Sequence, residues 1–271
     1  MRSFLTDPPH KYTHTIVPRT LGSGDTAVQL CRVLGRGGFA TVFAARYRGE
    51  SCCIKVPRAG STTTTVDHIN MFQKEVTVLR AFLDPLDLER GGCKHLPTLT
   101  ISNWLCDEAS LWITTREIGV NLPRCAASLA IEQRRKLWTV LEAQLTDALT
   151  YAHNKDVCHT DVRPPNIVIM CLHESGRERA LLIDWGLAVT DKQPLKKALR
   201  GDRNYFASQL LLAGPDGIPF DPAFDYESLT YVGFTFVKVK SVKLVPPWGT
   251  KLLPPKLLVA ERTKLTAEVP W

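Results

Sequence analysis

Hydrophobic and polar residues alternate along three runs near the start of the chain. The runs are AVQLCRVLG at 27–35, TVFAARYRG at 41–49 and SCCIKVP at 51–57, with glycines at the breaks between them. A period of two places successive side chains on opposite faces, as in a half-buried strand. Three such runs joined by short breaks predict an antiparallel meander.

Farther along, the apolar positions change to a helical spacing. Apolar residues recur three and four positions apart over 66–83 and over 131–155, which is typical of amphipathic helices. Short apolar runs predict further strands, at 97–104, 110–118, 166–170 and 180–184. A sheet with one helix, followed by a mainly helical part, predicts an α+β fold with two lobes and a cleft between them.

The bulk composition is that of an ordinary globular domain. The chain has 271 residues, of which 44% are hydrophobic and 23% charged, enough for one domain or two joined lobes. No run approaches the 18 or so apolar residues of a membrane helix, and residues 1–26 predict a polar leader. We therefore expect an intracellular protein, cytoplasmic or nuclear, whose eight cysteines are reduced thiols.

The net charge of +7 leaves the kind of partner open. Basic residues form solvated faces, or they attract acidic peptides, nucleic acid or anionic lipid. No aromatic interleaving or nucleic-acid motif accompanies them, so we predict no clear nucleic-acid role. The pattern does not indicate an oligomeric state.

A glycine-rich segment, LGRGGFATVF at 34–43, joins the first two runs. Its three glycines would let the backbone offer N–H groups to a bulky anion, although such a hairpin also serves simply to turn the chain. Lys55 lies within the third apolar run, where a lysine needs a partner or a route to solvent. Glu75, on the next predicted helix, is a suitable partner that would hold the ammonium against phosphate oxygens.

Acidic and amide residues with metal-binding potential follow the long helix. The run VCHTDVRPPNIV contains Asp161 and Asn166, and Asp184 ends the apolar run LLID. An aspartate at the end of an apolar strand is costly to bury unless it meets a cation or hydrogen-bond donors. Oxygens of Asn166 and Asp184 suit Mg²⁺, which leaves Asp161 to act as a base. Any one aspartate alone is more often a turn or a helix cap, so the prediction depends on the ordered set.

Taken in order, these motifs resemble those of the eukaryotic protein kinase superfamily from residue 29 to residue 236. The resemblance implies a small lobe of antiparallel sheet plus one helix over 27–118, and a mainly α-helical large lobe over 119–236. We expect the large lobe to be truncated, with a basic C-terminal segment at 237–271. ATP and Mg²⁺ are the implied cofactors, and a protein or peptide is the implied substrate.

The resemblance assigns nucleotide binding to the glycine-rich segment, the lysine strand and the hinge. The implied ATP-binding residues are Leu34, Gly35, Gly37, Gly38, Val42, Cys53, Lys55, Thr115, Glu117 and Ile118. Thr115 occupies the gatekeeper position, and Glu117 and Ile118 lie where the family's hinge meets adenine.

The resemblance also implies catalytic roles. The implied set is Lys55 with Glu75 for the phosphates, Asp161 as base, Arg163 to offset developing charge, and Asn166 and Asp184 as Mg²⁺ ligands. The segment GDRNYFASQ at 201–209 resembles the end of the family's activation loop. Asp225 matches the acid on the buried central helix of the large lobe.

Besides Ala40, which replaces the third glycine of the glycine-rich segment, four positions depart from the family pattern. Thr160 replaces the arginine that holds a phosphorylated activation loop, so we do not expect such control. Arg163 stands where Ser/Thr kinases carry lysine, a spacing that some tyrosine kinases share. Gln209 replaces a glutamate that the family pairs with a late arginine, and Trp185 occupies the position of a phenylalanine.

Three functions stay open from the sequence. The first is an ATP- and Mg²⁺-dependent protein kinase, with Ser/Thr favoured over Tyr because of the 201–209 segment. The second is a pseudokinase or scaffold, supported by the short tail, Ala40 in place of the third glycine, Thr160, and Cys53 over the adenine site. The third is a small-molecule phosphotransferase of the aminoglycoside or choline kinase type, which shares the HxDxxxxN loop.

Overall fold

The computed structural model describes most of the chain, and every structural statement below concerns that part. The described residues are 20–21, 27–37, 40–57, 65–82, 92–103, 112–115, 119–170, 178–190, 194–195, 201–213, 218–239, 244, 246–250 and 253–267. Three residues predicted to bind nucleotide, Gly38, Glu117 and Ile118, lie outside them.

The small lobe is a six-stranded antiparallel sheet. Its strands are β1 (Thr20–Leu21), β2 (Val28–Arg36), β3 (Ala40–Tyr47), β4 (Glu50–Pro57), β5 (Leu99–Asn103) and β6 (Trp112–Thr115), in the order β1-β2-β3-β4-β6-β5. Arg48 and Gly49 have φ values of 52° and 82° and join β3 to β4 as a two-residue turn. The predicted meander is confirmed. Because β1 pairs with β2, the sheet begins within the range expected to be a polar leader.

One helix, α1 (Thr65–Ala81), connects this sheet to the large lobe. Phe72, Val76 and Leu79 are buried along one face, at the helical spacing that predicted the element. Phe82 follows the helix, and its ring centroid lies 4.9 Å from that of Trp185 in the large lobe. The position of α1 is thereby coupled to both lobes.

The large lobe consists mainly of helices. They are α2 (Leu122–Ala127), α3 (Ile131–His153), α4 (Ser208–Leu212), α5 (Ala223–Lys238) and α6 (Pro255–Ala267). Short strands β7 (Val120–Asn121), β8 (Ile167–Met170) and β9 (Arg179–Leu182) form one small sheet, and β10 (Pro194–Leu195) pairs with β11 (Ile218–Pro219). Helix α3 ends at His153 because Asp156 adopts a left-handed φ of 56° and the Val157 N–H bonds back to the Ala152 carbonyl.

Helix α5 lies at the centre of the large lobe. Most of its side chains are buried, including the acid Asp225. Gly233 lets α3 approach closely, since a Cβ at this position would lie 2.6 Å from the Trp138 indole. One turn before Trp138, Arg134 of α3 donates hydrogen bonds to the backbone carbonyls of Ala126, Leu129 and Val239. These contacts fix α5 against α2 and α3.

The described residues beyond 239 pack onto the large lobe. Leu244, Trp248 and Leu258 are buried, and Arg262 of α6 has no exposed surface. Leu258 and Arg262 lie four positions apart, so both face the same side of the helix. The segment predicted only as basic therefore contributes an arginine to the interior.

The thiols and helices of the described part agree with an ordinary folded domain. Within the described part, Cys31, Cys52, Cys53, Cys93, Cys125 and Cys158 form no disulfide, while Cys106 and Cys171 lie outside the described residues. Burial raises the pKa of Cys52 to about 11 and that of Cys158 to about 12, so both are protonated at neutral pH. Each described helix is too short or too polar to cross a bilayer.

Replacing Gly233 with alanine is expected to destabilise the large lobe. The added methyl group would overlap the Trp138 indole, and overpacking around a buried ring costs about 1 to 3 kcal/mol, against a gain of about 1 kcal/mol in helix propensity. Urea unfolding followed by tryptophan fluorescence measures the free energy of unfolding. Gly35→Ala is the matched control, because a Cβ there meets no atom within 4 Å. An equal loss in both variants would contradict the packing argument.

Candidate active site

A lysine in the small-lobe sheet contacts two acids from distant parts of the chain. Lys55 lies in β4, in register with Val42 of β3 and Ile113 of β6. Its Nζ atom lies 2.6 Å from Oε2 of Glu75 on α1 and 2.5 Å from Oδ1 of Asp184, which follows β9. The ammonium therefore joins the sheet, α1 and the large lobe at one point.

The three charges of this cluster shift one another's pKa values. Burial raises the pKa of Glu75, and the attraction of Lys55 offsets only part of that effect. Burial also acts on Asp184, but the charge and hydrogen bond of Lys55 outweigh it and hold the pKa of Asp184 below its usual range. Burial lowers the pKa of Lys55, yet the two acids outweigh burial and raise it. Lys55 and Asp184 are both charged at neutral pH.

A second cluster surrounds Asp161 in the loop before β8. Its Oδ2 atom accepts hydrogen bonds from Asn166 Nδ2 at 2.8 Å and from Arg163 Nε at 2.9 Å. The carboxyl is nearly fully buried, and burial raises its pKa against the attraction of Arg163 and His159. Both donors bind Oδ2, and no hydrogen bond from a described residue occupies Oδ1, which could therefore meet a further group. Gly201 borders that atom, since a Cβ at this glycine would lie 2.8 Å from Oδ1.

A buried carboxylate on α5 holds this loop in place. Asp225 accepts hydrogen bonds from the backbone N–H groups of His159 at 2.7 Å and Thr160 at 2.9 Å, and its Oδ2 lies 3.0 Å from His153 Nε2. Thr160 has a φ of 65°, a left-handed conformation that a β-branched residue keeps only under constraint. Asp225 supplies the constraint, and the Thr160 hydroxyl adds a bond to the Leu187 carbonyl.

Trp185 fixes the segment that carries Asp184. Its Nε1 donates a hydrogen bond to the Leu182 carbonyl at 2.9 Å. Its ring lies edge-on to Phe82 and to His159, with centroid separations of 4.9 Å and 4.5 Å. The indole therefore contacts residues next to α1, in the loop of Asp161 and before Asp184, and holds these three segments together.

The residues predicted to bind a nucleotide lie on neighbouring strands of the small lobe. Gly37 is exposed and the other described members are partly exposed: Leu34, Gly35, Val42, Cys53, Lys55 and Thr115. Gly35 pairs in register with Val42, and Cys53 pairs with Thr115. Cys53 and Lys55 alternate with the buried Cys52 and Ile54, so they share the open face of β4.

The oxygen donors near Lys55 fit a magnesium ion. The Asp184 side chain is 36% exposed, so its carboxylate is accessible. The Asn166 amide nitrogen makes both of that side chain's bonds to Asp161 within the described part, which leaves Oδ1 available to a cation. The Ile183 N–H donates to the Asn166 carbonyl at 2.9 Å and keeps the two segments adjacent. Mg²⁺ prefers one or two such protein oxygens together with phosphates and water.

A family comparison agrees with this geometry. Residues 101–242, just over half of the chain, match the model described as the protein kinase domain. The chain belongs to the protein kinase family. The matched range begins within β5 and includes both the loop of Asp161 and the segment of Asp184, whereas β1 to β4 and α1 precede it.

Curated relatives are protein kinases by name. Serine/threonine-protein kinase KSP1 of Saccharomyces cerevisiae is 37% identical over 93 residues, which are 34% of this chain and 8% of that protein. CBL-interacting protein kinase 4 of Oryza sativa subsp. japonica is 27% identical over 165 residues, 59% of this chain and 33% of that protein. The membrane-associated tyrosine- and threonine-specific cdc2-inhibitory kinase wee-1.3 of Caenorhabditis elegans is 25% identical over 209 residues, 76% and 28% respectively. The chain spans a third or less of each of these kinases.

Several residues around this candidate site were not identified from the sequence. Gly201 borders Asp161, and Glu227, Tyr231 and Arg262 bind the segment that follows Gly201. Isolated charged residues such as Glu227 and Arg262 look like solvated surface in the sequence, so no local motif marks them. The available signal was spacing: Glu227 and Tyr231 lie four positions apart and share one face of α5.

Replacing Lys55 with methionine is expected to destabilise this protein most at neutral and alkaline pH. Glu75 and Asp184 would become like charges without a cation, at a cost of about 1 to 3 kcal/mol, because part of the cluster is open to water. Without the lysine both folded-state pKa values rise above their unfolded values. The resulting loss of stability therefore grows as pH rises through them and shrinks in acid.

Urea unfolding of the wild type and the variant between about pH 5 and pH 8 measures this difference. The double variant Lys55→Met, Glu75→Gln is the matched control, since removing one carboxylate should recover most of the loss. A difference that does not depend on pH, or a double variant as unstable as the single one, would count against the charge cluster.

Proposed function

We propose that this protein is an ATP- and Mg²⁺-dependent protein kinase that transfers the γ-phosphoryl group to a protein hydroxyl, with serine or threonine favoured over tyrosine. One observation carries the proposal: Lys55 bridges Glu75 and Asp184, beside the hydrogen-bonded pair of Asp161 and Asn166. Phosphoryl transfer needs positioned charges and a base more than covalent protein chemistry. The intracellular setting expected from the sequence would supply both cofactors.

The side chains of the ionic cluster would hold the nucleotide. Bound Mg²⁺-ATP supplies a transferable phosphoryl group whose charge is partly neutralised by the cation. An ammonium has three donors, and Lys55 uses two of them on Glu75 and Asp184, so the third can bind an oxygen of the α- or β-phosphate. Asp184 and Asn166 would hold the metal ion. The partly exposed face of β2, β3, β4 and β6 would cover the base and sugar.

The acceptor hydroxyl would meet Asp161 at its Oδ1 atom. Oδ2 already has donors from Asn166 and Arg163, which fix the carboxylate. The hydroxyl proton passes to Asp161 while the hydroxyl oxygen forms a new bond to the γ-phosphorus. The bond from that phosphorus to the bridging oxygen breaks, and ADP leaves. Arg163 would keep a positive charge near the negative charge that develops on the transferred phosphoryl group. Charges that are already in place before the reaction supply a large part of catalysis.

The preference for serine or threonine follows from resemblance and relatives. The segment at 201–209 resembles the Ser/Thr type, and the KSP1 relative is named as a serine/threonine kinase. Arg163 favours tyrosine, because some tyrosine kinases share its spacing, and the wee-1.3 relative is named for both tyrosine and threonine.

Peptides that carry serine, threonine or tyrosine in one common sequence test this preference. The serine or threonine peptide should be labelled faster than the tyrosine peptide, as measured by phosphopeptide mass spectrometry. Labelling of the tyrosine peptide alone would reverse the assignment.

Replacing Asp184 with alanine is expected to reduce phosphoryl transfer at least about 100-fold, because a charged group at the transferred phosphate is lost. Mass spectrometry after incubation with Mg²⁺-ATP and mixed peptides measures the rate, and circular dichroism checks the fold, which should persist because Asp184 is partly exposed. Glu132→Ala is the matched control, since this carboxylate of α3 is 67% exposed. It should keep the wild-type rate.

Three results would overturn the proposal, each in a different direction. Wild-type labelling by the Asp184→Ala protein would remove the metal site from the mechanism. Tight binding of Mg²⁺-ATP by a wild-type protein that labels no peptide would indicate a scaffold. Labelling of choline or an aminoglycoside in preference to every peptide would indicate a small-molecule phosphotransferase.

A further inference from the structure

The segment 203–206 is held by an arginine from the end of the chain. Arg262 of α6 donates from one terminal guanidinium nitrogen to the Phe206 carbonyl and from the other to the Arg203 carbonyl, both at 2.5 Å. The side chain has no exposed surface. A planar guanidinium presents its donors in a fixed fork, so it sets the separation and direction of both carbonyls, which a lysine ammonium does not.

Aromatic side chains enclose this guanidinium and add their own bonds to the same segment. The guanidinium carbon lies 4.6 Å from the ring centre of Tyr231 and 5.7 Å from that of Trp248. Trp248 Nε1 donates to the Asn204 carbonyl at 3.0 Å, and the Tyr205 hydroxyl donates to the Leu244 carbonyl at 2.8 Å. Successive positions of the segment are therefore anchored to residues that follow α5.

An acid from α5 anchors Ser208, two positions beyond this segment. Glu227 Oε1 accepts hydrogen bonds from the backbone N–H and the hydroxyl of Ser208, at 2.8 Å and 2.6 Å, and from the Tyr231 hydroxyl at 2.5 Å. The kinase resemblance places a glutamate at position 209, but this chain has Gln209. Here the acid comes from α5, and the late arginine binds backbone carbonyls.

The anchored segment leads directly to the catalytic loop. Gly201 has a φ of 142°, and a Cβ there would lie 2.8 Å from Asp161 Oδ1 and 2.8 Å from the Phe206 ring. Gly201 is thus packed between the Phe206 ring and the Asp161 carboxylate, which is proposed to act as base. Arg262 holds the backbone carbonyl of the same Phe206. A shift of Phe206 would change the space beside Oδ1, where the acceptor hydroxyl is expected.

We propose that Arg262 is a positioning residue for phosphoryl transfer, which fixes Phe206 and through it Gly201 against Asp161. The proposal rests on the proposed kinase function. It attributes the fixed position of residues 201–208, beside the expected acceptor site, to the contacts of Arg262. Thr160 occupies the place of the arginine that would bind a phosphorylated loop, so a built-in anchor takes over that task. Nucleotide binding depends on Lys55 and Asp184, which Arg262 does not contact in the described structure.

Arg262→Met and Arg262→Lys separate positioning from general stability. At a temperature where each variant is folded, both should lower kcat/KM for the peptide by about 10- to 100-fold, since a misplacement of about 1 Å can cost that much. The Kd for Mg²⁺-ATP should stay within about twofold of the wild-type value. Arg134→Met is the matched control, because Arg134 is also buried and also binds backbone carbonyls, those of Ala126, Leu129 and Val239, none of which lies in the 203–206 segment. It should lower Tm without lowering kcat/KM.

Hydrogen exchange measured by mass spectrometry provides a readout that does not require activity. Residues 201–208 should exchange faster in the Arg262 variants and at the wild-type rate in Arg134→Met. Unchanged exchange there, or an equal loss of kcat/KM in Arg134→Met, overturns the positioning role. Selective exchange together with no transfer by the wild type would support the anchor and overturn the kinase function, so the two failures are distinguishable.

Discussion

The buried carboxylate of Asp225 is the contact on which the active-site geometry depends. A charge in the interior of a helical lobe is costly unless hydrogen bonds satisfy it, and the N–H groups of His159 and Thr160 do so. The same bonds hold Thr160 in its left-handed conformation, and that conformation sets the direction in which the chain reaches Asp161. One side chain on α5 therefore determines where the loop of the proposed base lies.

Much of the fold was predictable because burial imposes a period on the sequence. The alternation in β2 to β4 and the helical spacing in α1 and α3 each reflect one face packed against a core. The ionic cluster was also indicated, since Lys55 in an apolar strand and Asp184 at the end of another each required a partner. Strand β1, at Thr20–Leu21, is too short to show any period and was not predicted.

The anchors of the 201–208 segment were not predictable for a different reason. Arg262 lies in a basic stretch and looks like a solvated charge, and its burial depends on aromatic rings from α5 and from Trp248. Gly201 looks like an ordinary turn glycine in the sequence. A side chain is excluded there because a Cβ would collide with the carboxylate of Asp161, forty positions earlier in the chain. Such requirements arise between segments that meet only in the folded protein, so no window of sequence contains them.

The indole of Trp185 has a consequence for small molecules that bind beside Asp184. Phenylalanine, which the family usually carries at this position, has no donor, whereas the indole N–H is bonded to the Leu182 carbonyl and the ring is fully buried. Turning the side chain outward would break that bond and expose a large apolar surface, at a cost of about 3 to 5 kcal/mol. An inhibitor that needs the space now filled by the indole must displace Trp185. That cost would weaken its binding at least about a hundredfold relative to the affinity that its contacts would give if the space were already empty. Inhibitors that leave the indole in place are the better starting point for the proposed nucleotide site.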